Sequence, residues 1–313
     1  GDTIKIVLLD NKGDKVETAN ATTRLISSDN VVAILGALTS TNTAQTIAIA
    51  DKKGIPVIAP VATNDQLTAK RTFANRVCFT DSFQGEVVAN YAKAQAYKTA
   101  VVVVDQSQVY SLGLAKAFET AFKKNGGEIV KTIKITSGDK DFKAVVSQIK
   151  ETNPDFMFLP LYHPEASMIA RQSKQLGLEK PMFSGDGVAN QTFIDLGGDA
   201  VNGYMFTDFF DYTNPPSQKS ADFVAYHEKE TGKAEMNSFT ALGADTYNIL
   251  IDAMNRCEDP TNSVCINEQI KKTTDFDGVS GKITINKEGN ATRSAVIKEV
   301  KDGKAVFKAT VNP

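Results

Sequence analysis

Residues 99–110 read Thr99-Ala100-Val101-Val102-Val103-Val104-Asp105-Gln106-Ser107-Gln108-Val109-Tyr110, an apolar run that stops abruptly in polar side chains. Such a run falls far short of the roughly 18 residues that a membrane-spanning helix needs. Its Val content and length predict a strand instead. The same unit recurs outward in both directions. Short runs of Val, Ile and Phe at 4–9, 31–36, 56–59, 76–80, 99–105, 129–135, 155–160, 181–184 and 203–207 alternate with helical stretches. That alternation is the mark of βαβ units laid into a parallel sheet. Between strands the helical period is explicit: Phe142, Val145, Val146 and Ile149 fall at i, i+3, i+4 and i+7, and Phe239, Leu242, Tyr247, Leu250 and Met254 continue one face. Gly177 after Leu176 predicts a helix stop.

Beyond Asn267 the pattern changes to a loop carrying Gly278 and Gly281, then alternating runs at 282–286 and 293–299 and a last strand at 304–311. Asp302-Gly303 between the last two runs predicts a tight antiparallel hairpin. No tandem repeat, low-complexity tract or long linker interrupts the chain, so two α/β lobes would be joined by short crossings of the chain.

Composition excludes several classes of function. The chain has 313 residues, 42% hydrophobic and 23% charged, a size that suits two globular domains. With 35 Lys+Arg against 37 Asp+Glu there is no basic field for non-specific nucleic-acid binding. Three cysteines and two histidines make a zinc site improbable, and His163 and His227 have neither the spacing of a metalloprotease helix nor a Gly-x-Ser-x-Gly serine to serve. Cys257 and Cys265 flank a polar, turn-rich stretch that allows them to bridge in an oxidising compartment or to remain as two thiols. Cys78, in Arg76-Val77-Cys78-Phe79-Thr80, reads as a small buried hydrophobe.

In an open α/β sheet, ligands bind beyond the carboxyl ends of the strands. After 31–36 comes Ala37-Leu38-Thr39-Ser40-Thr41-Asn42-Thr43, a hydroxyl-rich turn opening a helix, whose free N–H groups suit a carboxylate or phosphate. After 56–59 comes Pro60-Val61-Ala62-Thr63-Asn64. After 99–105, 155–160 and 181–184 come Tyr110, Leu161-Tyr162-His163 and Gly185-Asp186-Gly187. Hydroxyls and amides on one set of strand ends, with tyrosines and a carboxylate on the other, match a zwitterion. Each has a plainer reading: Ser40, Thr41 and Thr43 as helix caps, Thr63-Asn64 and Asp186 as turn residues, Tyr110 and Tyr162 as rim-packed aromatics. No nucleophile, base and orienting group stand together, and no Gly-x-Gly-x-x-Gly or Walker loop follows a strand. The pattern therefore predicts binding without chemistry and without a cofactor.

The residues resemble the periplasmic solute-binding proteins that deliver branched-chain and related amino acids to ABC importers. The resemblance runs from 1 to 313 and rests on Asp10-Asn11-Lys12-Gly13-Asp14, Gly36-Ala37-Leu38-Thr39-Ser40, Ala59-Pro60-Val61-Ala62-Thr63-Asn64, Val77-Cys78-Phe79-Thr80-Asp81 with Gln84-Gly85, Tyr162-His163-Pro164-Glu165, Gly185-Asp186-Gly187, and Phe276-x-Gly278-x-x-Gly281. It implies the type I periplasmic binding fold: α/β, two Rossmann-like lobes with mainly parallel sheets joined by a three-crossing hinge. Lobe 1 would comprise 1–81 plus 211–297 and lobe 2 would comprise 82–210 plus 298–313.

The resemblance also implies a ligand carboxylate on Ser40, on Thr63 and on backbone groups of Val61 and Thr63. The ligand ammonium would lie against Asp186, where close relatives often have Glu, and near Tyr162, with Tyr110 closing over the ligand. Leu38, Phe83 and Gln108 are weaker candidates for the side-chain pocket. The implied partners are an amino acid and the membrane permease subunits of an importer, with no nucleic acid and a monomeric chain. The implied location is periplasmic, as a free protein or an extracytoplasmic lipoprotein. An alternative is a ligand-sensing domain for amino acids or amides without transport, and a more distant one is a hydrolase using Ser40 or Ser184 with His163. In the family an earlier strand and helix precede the first run seen here, so the resemblance implies a missing N-terminal segment of at least roughly 30 residues. A foreign strand between 4–9 and 31–36 would fit that expectation, and direct pairing of the two runs would contradict it.

Overall fold

The computed structural model describes residues 3–313. The chain begins with α1 (Lys15–Ser27), β1 (Ile34–Leu35), α2 (Ser40–Lys52), β2 (Val57–Ala59) and β3 (Ala74–Arg76). Next come α3 (Asp81–Ala94), β4 (Thr99–Asp105), α4 (Val109–Lys124), β5 (Glu128–Ile135), α5 (Lys143–Thr152), β6 (Phe156–Phe158), α6 (His163–Gln175), β7 (Met182–Ser184), α7 (Gln191–Gly197) and β8 (Met205–Asp208). The remainder is α8 (Gln218–Thr231), α9 (Ser238–Asn255), α10 (Ser263–Ile270), β9 (Phe276–Gly278), β10 (Gly281–Ile285), β11 (Ala291–Thr292), β12 (Ala295–Lys301) and β13 (Lys304–Val311).

Two compact units share these elements. Unit 1 takes the chain up to Cys78, Leu242–Gly278 and Lys282–Thr292. Its parallel sheet β1-β2-β3 pairs Ile34 with Val57 and Val57 with Ala74, and Ile47 and Ala50 of α2 pack with these strands in a small apolar core. A second sheet runs β11-β10-β9, with β10 and β11 antiparallel. Unit 2 takes Phe79–Ala241, Val279–Gly281 and the chain from Arg293 onward. Its sheet has the order β13-β12-β8-β7-β6-β4-β5, parallel from β8 to β5. Val101 and Val103 of β4 are fully buried, because helices cover both faces of a parallel sheet. On α5 the buried Val146 and Ile149 meet β4 and β5 side chains in the same core, the face expected from their spacing. The closing hairpin is antiparallel, and Asp302 and Gly303 both have positive φ (50° and 78°), as a two-residue turn requires.

The expected strand at 4–9 does not form. Its backbone belongs to no ladder among the described residues, and Ile6 and Leu8 are 71% and 89% exposed. Strand propensity reports how well side chains fit a pleated, half-buried surface, and without a pairing partner it does not produce a strand. Neither outcome tied to that run occurs: β1 pairs with β2, not with 4–9. The division into units also differs from the expected 81/82, 210/211 and 297/298 boundaries, since 211–241 and 293–297 group with unit 2. The reason lies in β12, which pairs antiparallel with β8 through Val296 and Ile297 and so cannot be cut at 297. Ser238 Oγ donates to Asp208 Oδ1, Asn237 Nδ2 donates to Ala189 O at 3.2 Å, and Phe239 packs on the unit 2 core.

Candidate functional site

In unit 1 the sequence-predicted residues meet where β1 and β2 end. Thr39, not Ser40, caps α2, its hydroxyl accepting the Asn42 N–H at 3.3 Å. Ser40 is thereby left to accept the Asn64 N–H at 3.3 Å, which ties the first turn of α2 to the loop after β2. Thr63, in that loop, is fully buried, and its Oγ1 has no hydrogen-bond partner among the described residues. Val61 is also buried. An orphan hydroxyl inside a protein costs roughly 1–3 kcal/mol, so its position beside a helix N-terminus suits an anionic oxygen supplied by a ligand.

In unit 2, Tyr110 lies in the first turn of α4 after β4, Tyr162 precedes α6 after β6, and Asp186 follows β7. The rings of Tyr110 and Tyr162 stack with centroids 4.9 Å apart. The Tyr110 hydroxyl accepts the Gly187 N–H at 3.0 Å and donates to the Asp186 carboxylate. A Cβ on Gly185 would lie 2.5 Å from that hydroxyl, and one on Gly187 would lie 2.5 Å from Leu161 O, so both glycines are needed for tyrosine and loop to come this close.

Gln84 of α3, quoted above only as part of a motif, organises the whole group. Its Nε2 donates to Asp81 Oδ1 and Asp186 Oδ1, both at 3.0 Å, and its Oε1 accepts the Asp186 N–H at 2.9 Å and the Thr207 hydroxyl at 2.6 Å. A signal for this role did exist, since Asp81 and Gln84 stand at i and i+3 in the first turn of a helix. Burial pushes the Asp186 carboxyl up to about 7, hydrogen bonds from Gln84 and Tyr110 oppose the rise, and the nearby Asp208 adds to it. No Lys, Arg or His forms an ion pair with Asp186 among the described residues. Burial also pushes the Tyr110 phenol up.

The weaker candidates are less engaged. Leu38 is 52% exposed, Phe83 is half-buried with its ring 5.8 Å from that of Phe79, and Gln108 Nε2 donates to Ser137 Oγ at 3.1 Å. Ser184 Oγ is bonded to Leu159 O and Tyr204, while His163 Nδ1 pairs with Asn190 Nδ2 at 3.3 Å, so these two are not partnered as nucleophile and base. Cys257 and Cys265 are joined as a disulfide with Cα atoms 6.0 Å apart, and Cys78 is buried with its thiol on Ala62 O at 3.2 Å. A cavity of about 460 Å³ in unit 2, lined by Lys174, Leu178, Met182, Asp199 and Tyr204 among others, opens at the N-terminal ends of β7 and β8 and contains none of the site residues. Among the described residues no group of His, Cys, Asp and Glu could hold a metal ion, and no helix is long and apolar enough to cross a membrane.

A doubly wound sheet with polar groups gathered beyond its strand ends defines a ligand-binding α/β protein. The chain belongs to the periplasmic binding protein family, whose model matches residues 1–305, and its fold is the type I fold of that family. A leucine-binding protein from Thermotoga maritima superposes with a TM-score of 0.97 at 37% identity, over 100% of this chain and 89% of that one. The branched-chain amino acid transporter substrate-binding protein of Streptococcus pneumoniae, solved with isoleucine, superposes at 0.91 with 31% identity, over 99% and 87% of the two chains. The Leu/Ile/Val-binding protein of Escherichia coli K12 is 28% identical over 293 residues, 93% of this chain and 77% of that one.

Proposed function

We propose that this chain is the extracytoplasmic solute-binding component of an amino-acid ABC importer, that it carries out no chemistry, and that its ligand is an aliphatic amino acid. The observation that carries this reading is Asp186, a carboxylate 5% exposed with no cationic side chain paired to it among the described residues. A buried charge needs a matched partner, and the ammonium of an amino acid supplies one. Tyr162 and Tyr110 would flank that ammonium. The ligand carboxylate would bind the Thr63 hydroxyl and backbone, the Ser40 hydroxyl and the backbone of Val61, at the N-terminus of α2. The names of the relatives, which bind leucine, isoleucine and valine, favour an aliphatic side chain.

Titration calorimetry with leucine, isoleucine, valine, glutamate and lysine tests the ligand class, and native mass spectrometry of the purified protein tests for a retained small molecule. Saturable binding of the aliphatic amino acids is expected, and Asp186→Ala should abolish it. Near-normal affinity in that variant would remove Asp186 from the amine site. Incubation with amino acids and amides followed by mass spectrometry should reveal no new product.

A further inference from the structure

Arg76 ends β3 and is 1% exposed, yet nothing above gives it a part in binding. Its Nη1 donates to Ala62 O at 3.0 Å and to Asn64 O at 2.8 Å, and its Nε donates to Asn290 Oδ1 at 2.9 Å. Its own backbone N–H donates to Gly289 O at 2.9 Å, and Asn290 is held in turn by the Thr68 hydroxyl at 2.9 Å. The guanidinium therefore spans from the 286–290 turn to two carbonyls in the loop after β2.

A planar trans peptide points its N–H opposite to its C=O. With the Ala62 carbonyl drawn onto the guanidinium, and the Cys78 thiol donating to the same oxygen, the N–H of Thr63 must face away from Arg76. The next peptide is fixed from the other side, its Asn64 N–H being bonded to Ser40 Oγ. Thr63 thus sits between two clamped peptides, with its hydroxyl unpartnered. We propose that Arg76 is a positioning residue, aiming the Thr63 N–H and hydroxyl at the ligand carboxylate without touching the ligand itself. The inference rests on the assignment of Thr63 to the carboxylate given under the proposed function. Lysine keeps the charge but lacks the fork, so it cannot hold two carbonyls and Asn290 in one plane.

The test combines leucine titration calorimetry with the ligand-induced shift of the Thr63 amide in ¹⁵N-resolved NMR, on wild type and Arg76→Lys. The expected result is leucine binding by the wild type with a marked shift at Thr63, and at least a tenfold weaker affinity with a diminished shift in Arg76→Lys. Affinity within twofold of wild type would overturn the inference, and so would weaker binding with the Thr63 shift unchanged, the mark of a merely structural role. If Arg76→Lys does not fold, Asn290→Ala, which removes one anchor and leaves the guanidinium in place, is read by the same two criteria. A wild type that binds neither leucine nor another amino acid would instead sink the functional reading, a result visible before any variant is made.

Discussion

Gln84 and Asp186, 102 positions apart in the chain, are joined by two reciprocal hydrogen bonds: the glutamine amide donates to the carboxylate at 3.0 Å and accepts the aspartate's own N–H at 2.9 Å. One side chain thus fixes both the backbone and the carboxylate of Asp186. Gln84→Leu leaves the Asp186 N–H, the Thr207 hydroxyl and an Asp81 oxygen without their present partner. At roughly 1–3 kcal/mol for an unsatisfied buried group, with partial relaxation, the expected loss is about 3 kcal/mol of unfolding free energy. Urea denaturation measures it, and a variant as stable as wild type would show that the network contributes nothing net.

The Asp186 carboxyl should make the unliganded protein pH-sensitive. Its folded-state value near 7 lies above its ordinary 3.8, so between about pH 4 and 7 the folded chain keeps a proton that the unfolded chain releases. Stability should therefore fall as pH rises through that window and level off above it, by at most about 4 kcal/mol. Thermal melts of wild type and Asp186→Asn from pH 4 to 8 check this, the variant giving the flatter profile.

Ligand binding should carry the opposite proton balance. An ammonium partner favours the carboxylate, so binding at pH 6 releases close to one proton and affinity weakens as pH drops below 7. Calorimetry in two buffers of different ionisation enthalpy reads the proton count directly. No release at pH 6 would show that Asp186 is not the partner of the amine.

Gly187→Ala should damage the same group from the backbone side. Its Cβ would fall 2.5 Å from Leu161 O and 2.9 Å from the Tyr110 ring, and the backbone oxygen has little room to yield. Overpacking of this kind costs typically about 1–3 kcal/mol. Gly243→Ala, where an added Cβ meets nothing within 4 Å, is the control and should melt at or slightly above the wild-type temperature.

Lys298 holds the end of β8 through a buried cluster. Its Nζ donates to Asp208 Oδ2 and Phe210 O, both at 2.7 Å, and lies 3.5 Å from Asp211 Oδ2. Lys298→Met strands two carboxylates and should cost about 3–5 kcal/mol, as breaking a buried ion pair does. Chemical denaturation of Lys298→Met and of Lys298→Met/Asp208→Asn separates the lost pair from the stranded charge, the double variant recovering part of the loss.

Local patterning carried most of the layered architecture. The helical face of Phe142, Val146 and Ile149, the Val-rich β4 and the Asp302-Gly303 turn each depend on neighbours a few residues away, where periodicity and turn chemistry act. The hydroxyl-rich turn at 39–43 and the Asp186 loop were legible as polar strand ends for the same reason. The i, i+3 pairing of Gln84 with Asp81 was legible too, but its bonds to Asp186 were not, because a helix-start amide looks alike whether it faces water or a carboxylate from a distant loop. Ile4, Ile6 and Leu8 misled in the reverse sense, since alternating apolar residues state a propensity and not a partner.

By itself, then, the order of residues determined an α/β chain of repeated strand and helix units, a closing antiparallel hairpin, and candidate binding groups at the strand ends. Tertiary structure decided which hydroxyl caps α2 and which is spared for the loop, that 211–241 groups with unit 2, and that Asp186 is buried and held by Gln84 with no ion-pair partner among the described residues. The physical reason is one of range. Periodicity and turn propensity act over a few residues, whereas hydrogen-bond partners and buried charge depend on segments a hundred or more positions away, brought together only when the sheet has formed.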